Sequence, residues 1–478
     1  MPATVYPSLY QVNIRVWLTE LSGKLGRTAT LDDIPDSEID TLVTSGFDWI
    51  WLLSVWQTGN EGLVFSRTNP HLRKEFRETL TDLKEADIQG SGFAITAYTV
   101  HQQLGGDEAL ARLRKRLQDR GLKLMLDFVP NHTSIDHHWV KTHPEYYIRG
   151  TEALLKNEPE NYRKINTGST ELILAHGRDP FFSGWADTLQ LNYSKNDLQN
   201  ALIKELIKIS DQCDGIRCDM AMLVIPEVFE NTWGLPCKSF WPEAILTVKE
   251  YNPHFTFMAE VYWDLEWKLQ QLGFDYTYDK KLYDYLKSGH AKPVHDHLHA
   301  ELNYQQKMAR FLENHDEKRA AAEFPDDKHK AAAVISFLTP GLRFFHQGQF
   351  EGKKKKISPH LVRGPVELVN QDLQSFYKTL LNILQQPLFH LGKWKMADSS
   401  SAWNGNGSYE NFVCFSWEIA QENKRVFVTV NYSSERSQCY VKLPFPGIKN
   451  KTIILRDLFS NIIYERDGDE LLSNGLYL

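Results

Sequence analysis

The sequence predicts an α/β protein: a (β/α)8 TIM barrel with an inserted subdomain after its third strand and a C-terminal antiparallel β-sandwich. Short apolar runs alternate eight times with helical patterns, the connection after the third run is long, and from about residue 394 the pattern changes to alternating short runs. The 478 residues also suffice for a barrel with an appendage. The predicted domains are 1–130 with 196–393 (barrel), 131–195 (inserted subdomain) and 394–478 (β-sandwich).

The barrel prediction depends on eight strands and the helices between them. Apolar runs predict strands at 9–18, 47–56, 122–129, 215–220, 255–263, 274–278, 308–313 and 342–347. Helical patterns lie at 36–44, 107–120, 197–212, 241–251, 265–272, 280–286, 329–337 and 373–384. Asp107 is the predicted N-cap of the second helix. In such a barrel the functional residues are expected at the C-terminal ends of the strands.

Two connections are longer than ordinary turns, at 57–106 and 130–195, and loops of this length are usually functional. The second is rich in Asn, Gly, His, Tyr and Trp, so we expect a small subdomain over one side of the barrel mouth. Beyond residue 394, the runs NFVCFSW, RVFVTVNY, CYVKLPF and TIILRDLF predict antiparallel strands.

Composition excludes several classes of partner. Charged residues make up 24% of the chain and the net charge is -7, which favours neither nucleic acid nor an anionic membrane. The run of lysines at 353–356 is predicted to be a solvated loop. Five cysteines without metal-ligand spacing predict reduced thiols. With no leader pattern and no apolar stretch of about 18 residues, we expect a soluble, cytoplasmic protein of unassigned oligomeric state.

The stretch DGIRCDMAML, residues 214–223, places an arginine and a carboxylate two residues apart in a short apolar run. In an extended strand Arg217 and Asp219 share one face, and the arginine should keep the carboxylate ionised. An ionised carboxylate can act as a nucleophile. Taken alone, the pair is more often a structural ion pair.

Two further acids lie at the ends of other predicted strands: Glu260 in FMAEVYW and Asp316 in FLENHDEKR. Each alone is explained as well by a rim salt bridge or a helix cap. Together with Asp219 they suit glycoside cleavage, in which one carboxylate attacks the sugar and a protonated group donates to the departing oxygen. Glu260 is the expected acid, because its strand is apolar on both sides and desolvation should raise its pKa.

With these residues in place, the chain resembles the alpha-amylase family of retaining alpha-glycoside hydrolases and transglycosylases. LMLDFVPNHTS, DGIRCDMAML, FMAEVYW and FLENHD are similar to four family motifs in the right order. The resemblance implies that Asp219 is the nucleophile, Glu260 the general acid/base and Asp316 the carboxylate that binds the sugar's 2- and 3-hydroxyls. It implies that Arg217 orients the nucleophile, and it implies the same barrel, insertion and C-terminal β-domain.

The resemblance also implies substrate-binding residues. His132 and His315 match the histidines that hydrogen-bond the ring in the cleaving subsite, and Asp127 matches the aspartate of the first motif. In SGFAITAYTV, Phe93 stands where the family usually has a sugar-stacking tyrosine, with Tyr98 five residues on.

Two tryptophans, Trp56 and Trp263, follow the second and fifth strands, where they either stack sugars or seal the barrel top. The segment WADTLQLNY is similar to an additional family motif, which implies structural support from Asn192. The loop FFHQGQFEG is expected to shape the cleft.

Departures from the family pattern concern the leaving-group side and calcium. Met222 and Leu223 stand where amylases usually have a Lys-His pair, so more apolar leaving-group subsites are expected. No cofactor is expected to be required. Asn131 is a candidate calcium ligand, but the sequence does not supply the remaining oxygens, so calcium is doubtful.

The leading functional hypothesis is retaining hydrolysis of alpha-glucosidic bonds in alpha-glucans or malto-oligosaccharides through a covalent glycosyl-aspartate intermediate. The alternative is a transglucosylase or phosphorylase, similar to sucrose phosphorylase, that uses the same intermediate. A non-catalytic binding or scaffold subunit is disfavoured, because such proteins usually lack one of the three carboxylates. Linkage, chain length and endo versus exo action are not determined by the sequence.

Overall fold

A closed barrel of eight parallel strands organises the computed structural model, which describes residues 5–167, 170–443 and 447–478. The strands, numbered β1 to β8 in chain order, are Ser8–Asn13, Trp49–Leu53, Lys123–Phe128, Gly215–Cys218, Thr256–Ala259, Tyr276–Tyr278, Met308–Arg310 and Leu342–His346. Each strand pairs in parallel with its sequence neighbours, and β1 pairs with β8 to close the ring. The predicted fold class is confirmed. The predicted run CYVKLPF ends on residues 444 and 445, which lie outside the described residues.

The barrel strands are largely buried on both faces, which explains why they read as mostly apolar runs. All five residues of β2 (WIWLL) and of β8 (LRFFH) are buried. The longer helices around the strands are Ile14–Leu25, Asp36–Thr44, Gly106–Gln118, Asn196–Gln212, Pro226–Trp233, Trp241–Tyr251, Lys280–Ser288, Ala291–Leu298, Asp326–Leu338 and Gln371–Leu384. Shorter helices are Glu266–Gln271, Leu302–Gln305, Ala320–Glu323 and Leu388–Leu391. Among the described helices, none has both the length and the apolar character of a membrane span.

The first predicted strand, 9–18, is wrong in its second half. The strand ends at Asn13, whose side-chain oxygen accepts a hydrogen bond from the backbone N–H of Val16 at 3.3 Å. This N-cap starts the helix Ile14–Leu25. The boundary is not evident in the sequence, because the helix begins with the largely apolar run IRVWL. A short capping side chain therefore divided one apolar run into two elements.

The start of the helix Gly106–Gln118 also differs from the prediction. Gly105, with a left-handed φ of 105°, is the N-cap, and Asp107 lies in the first turn. The Asp107 carboxylate accepts the backbone N–H of Val100 at 2.6 Å. Asp107 therefore ties the helix to the preceding segment instead of capping it.

The two long connections have their own secondary structure. The first contains the paired strands Trp56–Thr58 and Ile95–Val100 and the helices Asn60–Thr68 and Pro70–Thr79. The second contains the strand pairs His132–Ser134 with Thr188–Gln190 and Tyr162–Asn166 with Glu171–Ala175, and the helices Trp139–Thr142 and Glu152–Asn157. Trp56 thus belongs to the first of these hairpins and not to β2.

Antiparallel sheets follow the barrel, as expected. One joins Lys393–Ala397, Phe412–Ile419 and Lys424–Asn431, another joins Ser399–Ser401, Cys439–Val441 and Leu476–Tyr477, and Thr452–Arg456 pairs with Ile463–Asp467. The Trp417 indole N–H donates to the Leu338 carbonyl at 2.7 Å, and the Tyr432 hydroxyl donates to the Leu286 carbonyl at 2.7 Å. These bonds fix the C-terminal sheets to the barrel helices.

Candidate active site

Arg217, at the C-terminal end of β4, is completely buried and contacts four carboxylates. Its Nη1 lies 2.7 Å from Asp219 Oδ1 and 3.8 Å from Asp127 Oδ1. Its Nη2 lies 2.7 Å from Glu260 Oε2 and 4.0 Å from Asp316 Oδ2. Acids from the ends of four strands therefore surround one guanidinium, as the barrel geometry predicted.

Strand register explains the convergence. Arg217 pairs with Asp127 across β4 and β3, so the two side chains lie at one level of the barrel. The backbone N–H of Asp219 donates to the Phe128 carbonyl at 2.8 Å, and that of Glu260 donates to the Cys218 carbonyl at 3.0 Å. The backbone therefore continues sheet-like pairing past the strand ends and holds both acids beside the arginine.

Aromatic rings enclose the guanidinium. Its Nε–H donates to the Tyr278 hydroxyl at 3.2 Å. Its Cζ lies 5.4 Å from the centre of a Trp51 ring and 5.3 Å from the centre of the Phe93 ring. Both distances suit cation–π attraction. Burial disfavours the charged guanidinium, but the surrounding acids, Glu260 first, outweigh burial and raise the pKa of Arg217, so it remains charged.

Glu260 is a buried acid whose surroundings disfavour its ionisation. Burial raises its pKa to about 7, against the opposing charge of Arg217. The Tyr262 hydroxyl donates to Oε1 at 2.8 Å, and the backbone N–H of Met220 donates to Oε2 at 2.6 Å. The sequence predicted a raised pKa for Glu260 from purely apolar surroundings. In the structure Arg217, which contacts Asp219, contacts Glu260 as well.

Asp316 has the most open side chain of the four acids, with 43% exposed, compared with 9% for Asp219 and 4% for Glu260. Burial of its carboxylate favours the neutral form, but His315, Arg217 and a nearby lysine outweigh it and lower the pKa of Asp316. His315 Nε2 lies 3.0 Å from Asp316 Oδ2. The most exposed of the four acids is therefore an ionised carboxylate.

A lysine of the run at 353–356 reaches this rim, because Lys356 Nζ donates to the Asp316 backbone carbonyl at 3.0 Å. This one lysine thus departs from the prediction of a merely solvated loop.

Asp127 is nearly sealed, with 2% of its side chain exposed. Burial raises its pKa to about 7, and Arg217 opposes the shift. Its Oδ2 accepts the backbone N–H of Ser54 at 3.4 Å. Asp127 therefore faces the buried guanidinium of Arg217, 3.8 Å away, from the neighbouring strand.

The two predicted histidines lie at the site in different settings. His315 Nδ1 lies 2.9 Å from Gln11 Nε2, and the Phe93 ring stacks on its imidazole at 5.3 Å. Because the Gln11 amide donates to Nδ1, the ring proton falls on Nε2, which faces Asp316. His132 is buried against Trp185, and burial lowers its pKa, so its imidazole is neutral at pH 7.

Trp56 and Tyr98 occupy packing positions. Trp56 is completely buried and its indole N–H donates to the Asp127 carbonyl at 2.7 Å. The Tyr98 hydroxyl accepts the backbone N–H of Val129 at 2.9 Å, and the two rings meet edge to face. The complete burial of Trp56 favours the barrel-sealing alternative. Tyr98 is partly buried and backbone groups use its hydroxyl, so its role in substrate binding stays a prediction.

Trp263 remains open, with 39% of its surface exposed and an edge-to-face contact to the exposed ring of Phe181 at 5.0 Å. Met222 and Leu223 are buried in the helical turn Ala221–Val224, which follows Met220 with its left-handed φ of 43°. More apolar leaving-group subsites therefore stay a prediction.

Sequence reasoning missed several neighbours of the acids. Tyr262 lies two residues after Glu260. Residues two apart share one face of an extended chain, which is the rule that paired Arg217 with Asp219 and would also have indicated Tyr262. Gln11 reaches His315 from 304 residues away, and no local pattern signals such a contact.

The residues around Asn131 do not fit a calcium ion. Asn131 Oδ1 accepts a hydrogen bond from Gln190 Nε2 at 2.9 Å, and the same amide nitrogen donates to the Leu191 carbonyl at 3.1 Å. The Gln190 amide therefore already donates to Asn131 Oδ1, the one candidate ligand oxygen, whereas calcium prefers six to eight oxygen ligands. Asn192 Oδ1 accepts the backbone N–H of Ser194, which fits the supporting role implied for Asn192.

A family profile described as "Alpha amylase, catalytic domain" matches residues 37–378. The chain belongs to the alpha-amylase family. Among curated relatives, "Alpha-amylase 3" of Dictyoglomus thermophilum is 25% identical over 313 residues, which cover 60% of this chain and 59% of the relative. "Alpha-amylase MalA" of Haloarcula japonica is 23% identical over 354 residues, which cover 72% of this chain and 44% of that protein. The chain thus spans roughly half the length of these relatives.

Solved structures of this family share the fold over nearly the whole chain. A maltogenic alpha-amylase from Thermotoga neapolitana superimposes with a TM-score of 0.70 at 17% identity, covering 99% of this chain and 96% of its own. An alpha-amylase from Geobacillus thermoleovorans, solved with acarbose, gives a TM-score of 0.66 at 18% identity, covering 100% and 97%. At these identities the likeness supports the fold alone.

Proposed function

We propose that this alpha-amylase family protein hydrolyses alpha-glucosidic bonds in alpha-glucans or malto-oligosaccharides with net retention. The observation that carries the proposal is the contact of Asp219 and Glu260 with one buried guanidinium, each at 2.7 Å. Two carboxyls held this way suit the short separation of a retaining pair, about 5 to 5.5 Å. The raised pKa of Glu260 gives that pair one proton donor at neutral pH.

In the first step Asp219 attacks the anomeric carbon while the bond to the leaving oxygen breaks. Glu260 gives its proton to that oxygen, so the shorter sugar leaves as a neutral alcohol. Arg217, which stays charged, stabilises the carboxylate before attack and the newly ionised Glu260 afterwards. One cation therefore serves both acids as negative charge passes between them.

In the second step Glu260 takes a proton from water, whose oxygen attacks the anomeric carbon. The bond to Asp219 breaks and the enzyme returns to its starting state. Tyr262 and the Met220 N–H hold the ionised Glu260 in the interval. We expect Asp316, whose carboxylate is exposed, and the neighbouring His315 to bind sugar hydroxyls; their contact at 3.0 Å supports this.

Product analysis tests this proposal. Maltoheptaose, or a panel of defined alpha-glucosides, should give shorter sugars that NMR first detects as alpha anomers. Asp219→Asn should lower turnover by more than about 1,000-fold. A sugar phosphate formed in added phosphate would instead assign a phosphorylase, and longer oligosaccharides a transglucosylase. Beta anomers as first products, or near wild-type turnover of Asp219→Asn, would overturn the mechanism.

A further inference from the structure

A cluster of two imidazoles and a carboxylate lies where the barrel meets the C-terminal sheets. His295 and His299 are one helical turn apart at the end of the helix Ala291–Leu298, and their Nε2 atoms are 3.1 Å apart. Asp398 Oδ1 lies 3.8 Å from His295 Nε2 and 3.6 Å from His299 Nε2. Across the described ranges, this is the group of three His, Cys, Asp or Glu side chains whose ligand atoms all lie within 4.8 Å.

The spacing of these atoms suits a tetrahedral metal ion. Zn–N and Zn–O bonds of about 2.0 to 2.1 Å separate neighbouring ligand atoms by about 3.3 Å. The two imidazole nitrogens are already near this spacing, and Asp398 needs only a small shift. The two Asp398 separations exceed ordinary hydrogen-bond length, so the carboxylate faces the imidazoles without a hydrogen bond to either.

The chemistry of the donors selects the ion. Two imidazole nitrogens with one carboxylate suit zinc and its neighbours in the transition series, whereas calcium and magnesium prefer oxygen alone. His295 Nδ1 lies 3.7 Å from Asp296 Oδ1, so a second carboxylate lies near the other nitrogen of this imidazole. The side chains are 25%, 42% and 82% exposed for His295, His299 and Asp398, so an ion can enter and keep a water ligand.

We propose that His295, His299 and Asp398 bind Zn²⁺ and so join the barrel to the C-terminal sheets. The two histidines belong to a barrel helix, and Asp398 lies between the strands Lys393–Ala397 and Ser399–Ser401. A bound ion adds a link between the two parts to the hydrogen bonds that already join them through Trp417 and Tyr432. Because the folded chain assembles this site and the unfolded chain does not, Zn²⁺ raises the Tm.

Zinc titration of the untagged, chelator-stripped, full-length protein tests the proposal. Competition with a chromogenic chelator should give one tight site, and a hundredfold excess of Zn²⁺ over Kd should raise the Tm by about 3 °C. His299→Ala and Asp398→Asn should each weaken binding at least about tenfold and reduce the Tm shift. With Co²⁺ instead, wild type should show visible absorption bands that His299→Ala loses.

The matched control is His290→Ala. His290 is exposed at the N-cap of the same helix and makes no capping hydrogen bond with its side chain. This variant should bind Zn²⁺ like wild type. Three results would each overturn the proposed site: the same Zn²⁺ affinity in wild type and His299→Ala, the same loss of Zn²⁺ affinity in His290→Ala as in His299→Ala, or a Tm that does not change with Zn²⁺. The readouts do not involve glycosidase activity, so failure here is independent of the proposed reaction.

Discussion

Replacing Glu260 with glutamine should stabilise the protein at high pH relative to wild type. Burial raises the pKa of Glu260 from 4.5 to about 7, so the folded state holds a proton that the unfolded chain releases between these values. Stability from this proton is fully present below pH 4.5 and is lost as pH rises through about 7. Glutamine mimics the neutral acid and does not titrate, so the variant escapes this loss.

The magnitude follows from the same shift. Moving the pKa from 4.5 to about 7 corresponds to about 3 kcal/mol, of which about 2 to 3 kcal/mol falls between pH 5 and pH 8. For 478 residues the unfolding entropy is about 1 kcal/mol per kelvin, so the Tm of Glu260→Gln minus that of wild type should rise by about 2 to 3 °C over this range.

Calorimetry or intrinsic fluorescence at both pH values measures this difference. The matched control is Glu20→Gln, the same substitution at an exposed position in the helix Ile14–Leu25, where the Tm difference should not change with pH. A pH-independent difference for Glu260→Gln, or the same trend in Glu20→Gln, would refute the argument that burial holds Glu260 protonated.

Other predictions concern the neighbours of this acid. As pH rises, kcat/KM should fall near pH 7, where Glu260 ionises. Tyr262→Phe should move this fall to higher pH, because the ionised carboxylate loses a hydrogen-bond donor; a move to lower pH would contradict this. Arg217→Met should lower the free energy of unfolding by about 3 to 5 kcal/mol at pH 8 and by less at pH 5, where the unpaired acids can take up protons. Equal losses of stability in thermal unfolding at both pH values would contradict the claim that Arg217 compensates the charge of these acids. Millimolar calcium should leave the Tm unchanged, because the Gln190 amide serves Asn131; a clear rise would show that calcium displaces it.

Much of the fold was predictable because buried parallel strands leave a plain mark on the sequence. The run WIWLL in β2 is apolar throughout, and LRFFH in β8 is buried throughout although it includes Arg343 and His346, since both faces are covered. The placement of Asp219, Glu260 and Asp316 at one rim followed from the barrel, whose strand ends share a face.

The errors came from interactions that composition does not display. Asn13 ends β1 by capping a helix, although the apolar run continues past it. Gln11 fixes His315 through a contact across the closing seam of the barrel. Arg217 reaches Glu260 as well as Asp219, so the two acids differ in burial and local donors and not in whether they contact the cation.

The most direct measurement is to trap the covalent glycosyl-enzyme intermediate in Glu260→Gln with a 5-fluoro-alpha-glucosyl fluoride. Its leaving group, fluoride, needs no proton from residue 260. Without the base at Glu260 the second step is slow, so the covalent adduct should accumulate. Mass spectrometry should then find one fluoroglucosyl unit on the peptide that contains Asp219. An adduct on Asp316 or another residue, or none while fluoride is still released, would contradict the assignment of Asp219 as nucleophile.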